Sequence, residues 1–130
     1  MAVIMENEYF RLTVDEPEGI VRYTRSPLAF PSAAVARDDL RQLVAATRGI
    51  SRHHYSLLTD VRDAPGRNDE DFESTLASMQ HDLFDGFKKR AILVKSAVGR
   101  LQVERLARER RAPAANVFEM GKDAIAYLLA

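Results

Sequence analysis

The fold is decided by one stretch, residues 55–72, which reads Tyr-Ser-Leu-Leu-Thr-Asp-Val-Arg-Asp-Ala-Pro-Gly-Arg-Asn-Asp-Glu-Asp-Phe. Its first part, Tyr55 to Val61, alternates too little for a strand with one solvent-exposed face, which predicts an interior parallel strand. A Pro-Gly pair then marks a loop, and the acidic residues after it predict that a helix begins at Asn68 or Asp69. Ligands and partners usually dock on loops that leave the carboxyl ends of parallel strands, so this loop is the predicted working surface.

Before this stretch the apolar pattern changes its period once. Residues Tyr9–Val14 and Ile20–Thr24 alternate between apolar and polar side chains, which predicts two antiparallel strands joined as a hairpin. A helix then follows, capped by Ser32 and running to about Arg48, with Gly49 expected in a left-handed cap. The chain therefore opens with strands and continues with a helix on the way to the central strand.

After the acidic helix start, helices and strands alternate to the end of the chain. The remaining predicted elements are a strand at Ala91–Val94, a helix from Ser96 to about Arg111, a strand at Ala115–Phe118 and a helix at Asp123–Leu129. The order ββαβαβαβα predicts an α/β fold with a mixed sheet, in which an N-terminal antiparallel hairpin precedes alternating helices and parallel strands. With 130 residues, of which 46% are hydrophobic and 29% charged, we expect one domain spanning residues 1–130.

Charge and composition exclude several classes of function. Basic and acidic residues number 19 each, so no bulk field favours nucleic acid or an anionic membrane. The arginines of the third helix have glutamates four residues away, as in Arg100 with Glu104 and Arg105 with Glu109, and nucleic-acid binding is therefore disfavoured. The chain has no cysteine and no visible signal peptide or membrane span, and we expect a cytoplasmic protein.

Motifs for cofactors and catalysis are missing as well. Neither G-x-G-x-x-G nor G-x-x-x-x-G-K-[ST] occurs, so the sequence predicts no Rossmann or P-loop nucleotide site. His53 and His54 are adjacent in a predicted extended connector and would point to opposite sides, which is poor geometry for one metal ion. We therefore expect a protein without catalytic activity, cofactor or metal.

The element order, together with the run Leu58-Thr59-Asp60-Val61 before a loop and an acidic helix start, resembles the STAS or SpoIIAA-like fold. The resemblance covers nearly the whole chain. The run looks like the Leu-Asp-Leu strand that precedes the regulatory helix of anti-sigma-factor antagonists, so the resemblance implies regulation through protein contacts. Such proteins carry a phosphorylatable serine in an Asp-Ser-Ser-Gly segment, but here residues 68–71 are Asn-Asp-Glu-Asp, and the hydroxyl of that switch is missing.

The leading hypothesis is a regulatory or binding module that contacts another protein through this loop and helix start. The predicted partner-binding residues are Asp60, Asp63, Arg67, Asn68, Asp69, Glu70 and Asp71. Acidic residues in a first helical turn are also ordinary helix stabilisers, worth about 0.3 to 1 kcal/mol each. A purely structural role for the acidic residues is therefore the competing interpretation.

Two other functions remain open. The wider fold includes carriers of small hydrophobic molecules, and the pocket expected for such a ligand is lined by Leu28, Phe30, Phe84 and Phe87. The third hypothesis is a response-regulator receiver with Asp60 as phospho-acceptor and Lys95-Ser96 as accessory groups. That chemistry needs two further acidic residues beside Asp60, whereas Asp15 and Glu16 fall in a predicted hairpin turn. The oligomeric state is not indicated by the sequence.

Overall fold

The computed structural model describes residues 2–65, 69–109 and 116–130. These residues form a six-stranded mixed sheet, four α-helices and one short 3-10 helix at Arg52–His54. In chain order the elements are β1 (Ala2–Glu6), β2 (Phe10–Asp15), β3 (Ile20–Arg25), α1 (Ala33–Arg48), β4 (Ser56–Asp60), α2 (Glu70–Phe84), β5 (Arg90–Leu93), α3 (Ala97–Glu109), β6 (Asn116–Phe118) and α4 (Gly121–Leu129). The predicted α/β fold, with an antiparallel hairpin followed by parallel strands, is confirmed.

The first strand, β1, was not predicted from the sequence. It pairs antiparallel with β2, where Ala2 lies opposite Val14, and a register shift falls between Val3 and Met5. The turn between β1 and β2 is held by Asn7, whose side-chain oxygen accepts hydrogen bonds from the backbone N–H groups of Tyr9 and Phe10 at 2.8 and 3.0 Å. The hairpin therefore becomes a three-stranded antiparallel meander.

The predicted caps place the starts of three helices correctly. Ser32 Oγ accepts a hydrogen bond from the backbone of Val35, Asp69 Oδ2 accepts one from Phe72, and Ser96 Oγ accepts one from Gly99. These bonds satisfy N–H groups that have no partner within the helix.

The segment after α1 differs from the prediction in two respects. Gly49 has φ −73°, so its backbone is in the right-handed helical region. Its N–H and the N–H of Ile50 both donate to the carbonyl of Thr47. The backbone then turns through the 3-10 helix, which brings the rings of His53 and His54 to a centroid distance of 4.2 Å. The expected left-handed cap and the expected extended connector were therefore wrong.

Three crossovers place helices on one face of the sheet. The strands lie in the sheet in the order β1 to β6. Each of α1, α2 and α3 therefore connects two neighbouring strands, and each connection moves one strand further in the same direction across the sheet. Because such crossovers are right-handed, all three helices lie on the same side, called here the three-helix face. The larger core cluster lies on this side and joins Tyr23 and Leu57 of the sheet to Leu43 of α1 and Leu83 of α2.

The opposite face of the sheet is covered by α4. There Ile20, Leu58 and Leu93 pack with Ala124 and Leu128. The end of α4 is held by Lys89, whose Nζ donates to the carbonyls of Tyr127 and Ala130 at 3.1 and 2.7 Å. Within the described ranges, no helix combines the length and apolar character needed to cross a membrane.

Candidate functional site

A cavity of about 460 Å³ lies between the sheet and the helices on the three-helix face. Its floor includes Thr59 of β4 with Val61 just after that strand, and Ile92 of β5 with Val94 just after that strand. Thr59 and Ile92 are only partly buried although they belong to interior strands. Interior parallel strands are normally covered on both sides, so the partial exposure of Thr59 and Ile92 shows that the helices leave a space above these two strands.

The walls of the cavity come from α2 and α3. Leu76, Gln80 and Phe84 project from α2, and Gln102 and Val103 from α3. The three positions on α2 are four residues apart, as expected for one side of a helix. The cavity is therefore a space between two helices and the sheet beneath them.

Two contacts hold α3 in place beside this space. A Cβ added to Gly99 would lie 3.3 Å from Cβ of Val94, so the first turn of the helix approaches β5 closely. Farther along, Arg105 Nη2 lies 3.4 Å from Glu73 Oε1 of α2. Val98 and Leu101 of α3 nevertheless remain exposed, because the helix is not buried on a second side.

The predicted working loop forms one end of the cavity. Ala64, Pro65 and Phe72 line it, and the ring of Phe72 lies 6.1 Å from that of Phe30. The guanidinium of Arg25 lies 4.1 Å over the ring of Phe30. The connector before α1 and the loop after β4 therefore meet at the carboxyl end of the parallel strands.

Of the four residues predicted to line a pocket, two do so. Phe30 and Phe84 line the cavity from its two ends. Leu28 is 45% exposed to solvent and does not line it. Phe87 packs against the larger core cluster, with the guanidinium of Arg52 at 5.0 Å from its ring centroid. Both assignments to the pocket are corrected, since one side chain points to solvent and the other fills the core.

Asp60 lies beneath the surface on the α4 side of the sheet, and it is 3% exposed. Its Oδ2 accepts hydrogen bonds from Arg22 and Arg62, both at 2.8 Å, and its Oδ1 accepts from Nε and the backbone N–H of Arg62 at 3.0 and 3.2 Å. Burial acts to raise the pKa of Asp60, but the hydrogen bonds from Arg62 and Arg22 outweigh it and hold the pKa below its usual value. Asp60 therefore positions Arg62 and is not itself presented to a partner.

The other predicted partner-binding residues lie at or near the surface where they are described. Asp63, Asp69, Glu70 and Asp71 are exposed, and Asp69 is also the N-cap of α2. The remaining two, Arg67 and Asn68, lie outside the described residues. An acidic surface thus borders the cavity at its loop end.

The acidic residues that a receiver would need are not brought together. Asp15 pairs with Ile20 at one end of β3, whereas Asp60 lies opposite Thr24 near the other end. Both oxygens of Asp60 already accept hydrogen bonds from guanidinium groups. Within the part of the chain that the structure describes, no group of three or more His, Asp or Glu side chains could hold a metal ion.

The charge pairs predicted in α3 form in part. Arg105 Nη1 binds Glu109 Oε2 at 2.9 Å, as the four-residue spacing predicts. Arg100 instead lies 3.9 Å from Glu119, which follows β6. Arg100 and Arg105, which the sequence pairs with glutamates of the same helix, therefore also link α3 to neighbouring segments.

Several lining residues escaped the sequence analysis. Arg90 precedes the strand predicted at Ala91–Val94, but in the structure it begins β5 and shares a face with Ile92 and Val94. The two-residue period of a strand places these three side chains together and was a usable signal. Thr59 gave no such signal, because its exposure depends on where the helices pack.

Comparison with protein-family models, with curated proteins and with solved structures finds no significant match to this chain.

Proposed function

We propose that this protein binds a small apolar molecule in the cavity between the sheet, α2 and α3. The observation that carries the proposal is a space of about 460 Å³ lined mainly by aliphatic and aromatic side chains. Ligand sites in proteins are clefts or cavities of roughly 300 to 1,000 Å³ with a predominantly apolar lining and a few polar groups. The volume and the lining both fall within that description.

Packing energetics support the same proposal. Protein interiors are packed as densely as organic crystals, and voids larger than one water molecule are few. Liquid water occupies about 30 Å³ per molecule, so the cavity has room for roughly fifteen waters. Because apolar walls such as Leu76, Ile92 and Val103 offer water few hydrogen bonds, an apolar ligand fills this space more favourably.

The lining favours binding over catalysis. Among the described residues it includes no carboxylate and no imidazole, the groups that most often serve as general bases. Asp60, which lies between the lining residues Thr59 and Val61 in the sequence, is on the other side of the sheet and is held by two arginines. A carrier or ligand-responsive module therefore fits these groups better than an enzyme does.

The test compares a substitution that fills the cavity with the same substitution on the surface. Leu76 lines the cavity and Leu101 is exposed on α3, so Leu76→Trp and Leu101→Trp add the same bulk to different places. We expect wild type and Leu101→Trp to bind the neutral apolar dye Nile red, and Leu76→Trp to lose most of that binding while keeping a cooperative melt. Equal dye binding by all three proteins would contradict the proposal. Native mass spectrometry of the wild type tests in parallel for co-purified small molecules.

A regulatory contact with another protein is the second candidate, and one observation favours it. Exposed Asp63, Glu70 and Asp71 lie beside loop residues that line the cavity, so a ligand could alter the surface that these carboxylates form. This proposal retains the regulatory role implied by the STAS-like order of elements. The test replaces all three with amides, leaves the capping Asp69 intact, and compares capture of partners from a lysate at low and high salt. Retention of every partner by the variant would exclude the acidic surface as the contact.

A further inference from the structure

The charged residues that line the cavity all have one sign. Within the described residues the lining contains five basic side chains and no acidic one. The five are Arg25, Arg62, Arg90, Lys95 and Arg105. The whole chain carries no net charge, so this excess is local to the cavity.

Three of the arginines already have partners. Arg62 binds Asp60, and Arg105 binds both Glu73 and Glu109. Arg25 donates to the carbonyls of Tyr9 and Leu28 at 3.0 and 2.8 Å. Their donors are therefore largely committed to the fold.

Arg90 is different. In the part of the chain that the structure describes, its guanidinium makes no hydrogen bond or ion pair, and its one specific contact is with the ring of Phe84 at 4.8 Å. The side chain is partly buried, and burial lowers the pKa of Arg90 with no compensating charge. The donors of Arg90 are therefore not committed to described protein groups, and an anion placed there would gain charge-assisted hydrogen bonds.

The surroundings of Arg90 indicate what shape that anion has. Gln80 lies one helical turn before Phe84 on α2, so its amide is on the same side of the helix as the ring that Arg90 contacts. From Arg90 the floor continues along Ile92 to Val94, a length of about 13 Å at the rise of a strand. The Arg90 end of the slot is therefore polar and cationic, and the path from it along Ile92 and Val94 is apolar as far as Lys95.

We propose that the cavity binds an amphipathic carboxylate, with its head group on the guanidinium of Arg90 and its chain along Ile92 and Val94. This inference rests on the proposed function, since it names the ligand class of the same cavity. The planar fork of Arg90 donates two parallel hydrogen bonds to the two carboxylate oxygens, and the amide of Gln80 supplies a further donor. The medium-chain acyl group matches the length of the floor.

The experiment uses two ligands that differ only in the head group, decanoate and decanol, each titrated below its micelle concentration into the full chain. We expect wild type to bind decanoate at least about tenfold more tightly than decanol, because hydrogen bonds to a charged group are the stronger ones. In Arg90→Gln the preference should disappear, because decanoate loses its charged partner and then binds no more tightly than decanol. Arg41→Gln, which removes an exposed guanidinium from α1, is the matched control and should keep the preference.

The outcomes separate this inference from the proposed function. If neither ligand binds the wild type, both fail. If decanol binds as tightly as decanoate, the cavity is a ligand site but the anionic head group is wrong. If Lys95→Gln removes the preference and Arg90→Gln does not, the head group lies at the other end of β5 and the assignment to Arg90 is overturned. A cooperative melt of Arg90→Gln like that of the wild type reports that the variant is folded, and Arg90→Lys should restore only part of the preference because lysine lacks the fork.

Discussion

Asp60 and Asp39 are both buried carboxylates, exposed by 3% and 4%, and their surroundings move their pKa values in opposite directions. For Asp60 the hydrogen bonds from Arg62 and Arg22 outweigh burial and lower the pKa. For Asp39 burial dominates and raises the pKa, against the opposing effects of Asn7 and Arg25. Asp39 Oδ1 accepts from Asn7 at 2.7 Å, but Oδ2 is buried without a partner in the described structure.

Asp60→Asn should destabilise the protein by about 2 kcal/mol at pH 7, because it removes charge-assisted hydrogen bonds from two arginines. A lowered pKa in the folded state means that the stability contributed by Asp60 is present above the unfolded pKa of about 3.9 and is lost as the pH falls through the folded value. The deficit of the variant should therefore shrink below about pH 4. Urea titrations at several pH values measure it. Asp63→Asn, at an exposed position, is the control and should change stability by less than about 0.5 kcal/mol.

Asp39→Asn should show the opposite pH dependence. With its pKa raised in the folded state, the ionised carboxyl of Asp39 destabilises the fold at pH values above the unfolded pKa of about 3.9. The stability of Asp39→Asn relative to wild type should therefore improve as the pH rises from about 4 towards 7, whatever constant offset the amide introduces. Melting curves of Asp39→Asn and the wild type, recorded across this pH range, test whether the stability difference changes in this direction. A relative stability that falls with rising pH would show that burial does not dominate at Asp39.

At the scale of elements, the start of α2 serves a structural purpose that can be separated from partner binding. Asp69 caps the helix by accepting from Phe72 N at 3.3 Å. Asp69→Ala should lower stability by about 1 kcal/mol, whereas Asp69→Ser, which keeps an oxygen at the N-cap, should change it little. Thermal melts of the two variants provide the comparison. Equal losses in both would mean that the charge of Asp69, and not the capping oxygen, stabilises the helix.

The elements that follow β1 were predictable because each has a strong local signal. The alternation in β2 and β3, the capping residues Ser32 and Asp69, and the apolar run in β4 all reflect interactions within a few residues. The edge strand β1 was missed because its turn has neither glycine nor proline, although Asn7 is a residue that forms such turns through its side chain. Two residues proposed from the sequence, Phe30 and Phe84, do line the cavity, but its extent was beyond local reasoning because it depends on how α2 and α3 pack on the sheet.

At the scale of the whole molecule, the two faces of the sheet depend on different helices. The α4 face relies on one helix to cover Leu58, Ala91 and Leu93, each fully buried. Burial of one large aliphatic side chain is worth about 1.5 to 3 kcal/mol, against a typical total stability of roughly 5 to 15 kcal/mol. Removing residues 121–130 should therefore abolish cooperative folding, as judged by circular dichroism and size-exclusion chromatography. Removing residues 1–6, which include the edge strand β1 with Val3 and Ile4 exposed, should leave a folded chain with a lower melting temperature.

The strictly sequential order of the strands also bears on how a newly synthesised chain folds. Every strand pairs with the one made just before it, so the sheet can grow at a single edge as the chain leaves the ribosome. Helix α4 is made after all six strands, and among the described elements it is the helix that packs on Leu58 and Leu93. A nascent chain with its sheet complete therefore still presents an apolar face until α4 has emerged. That interval is when chaperones would bind it most readily and when two unfinished chains would aggregate through the same face.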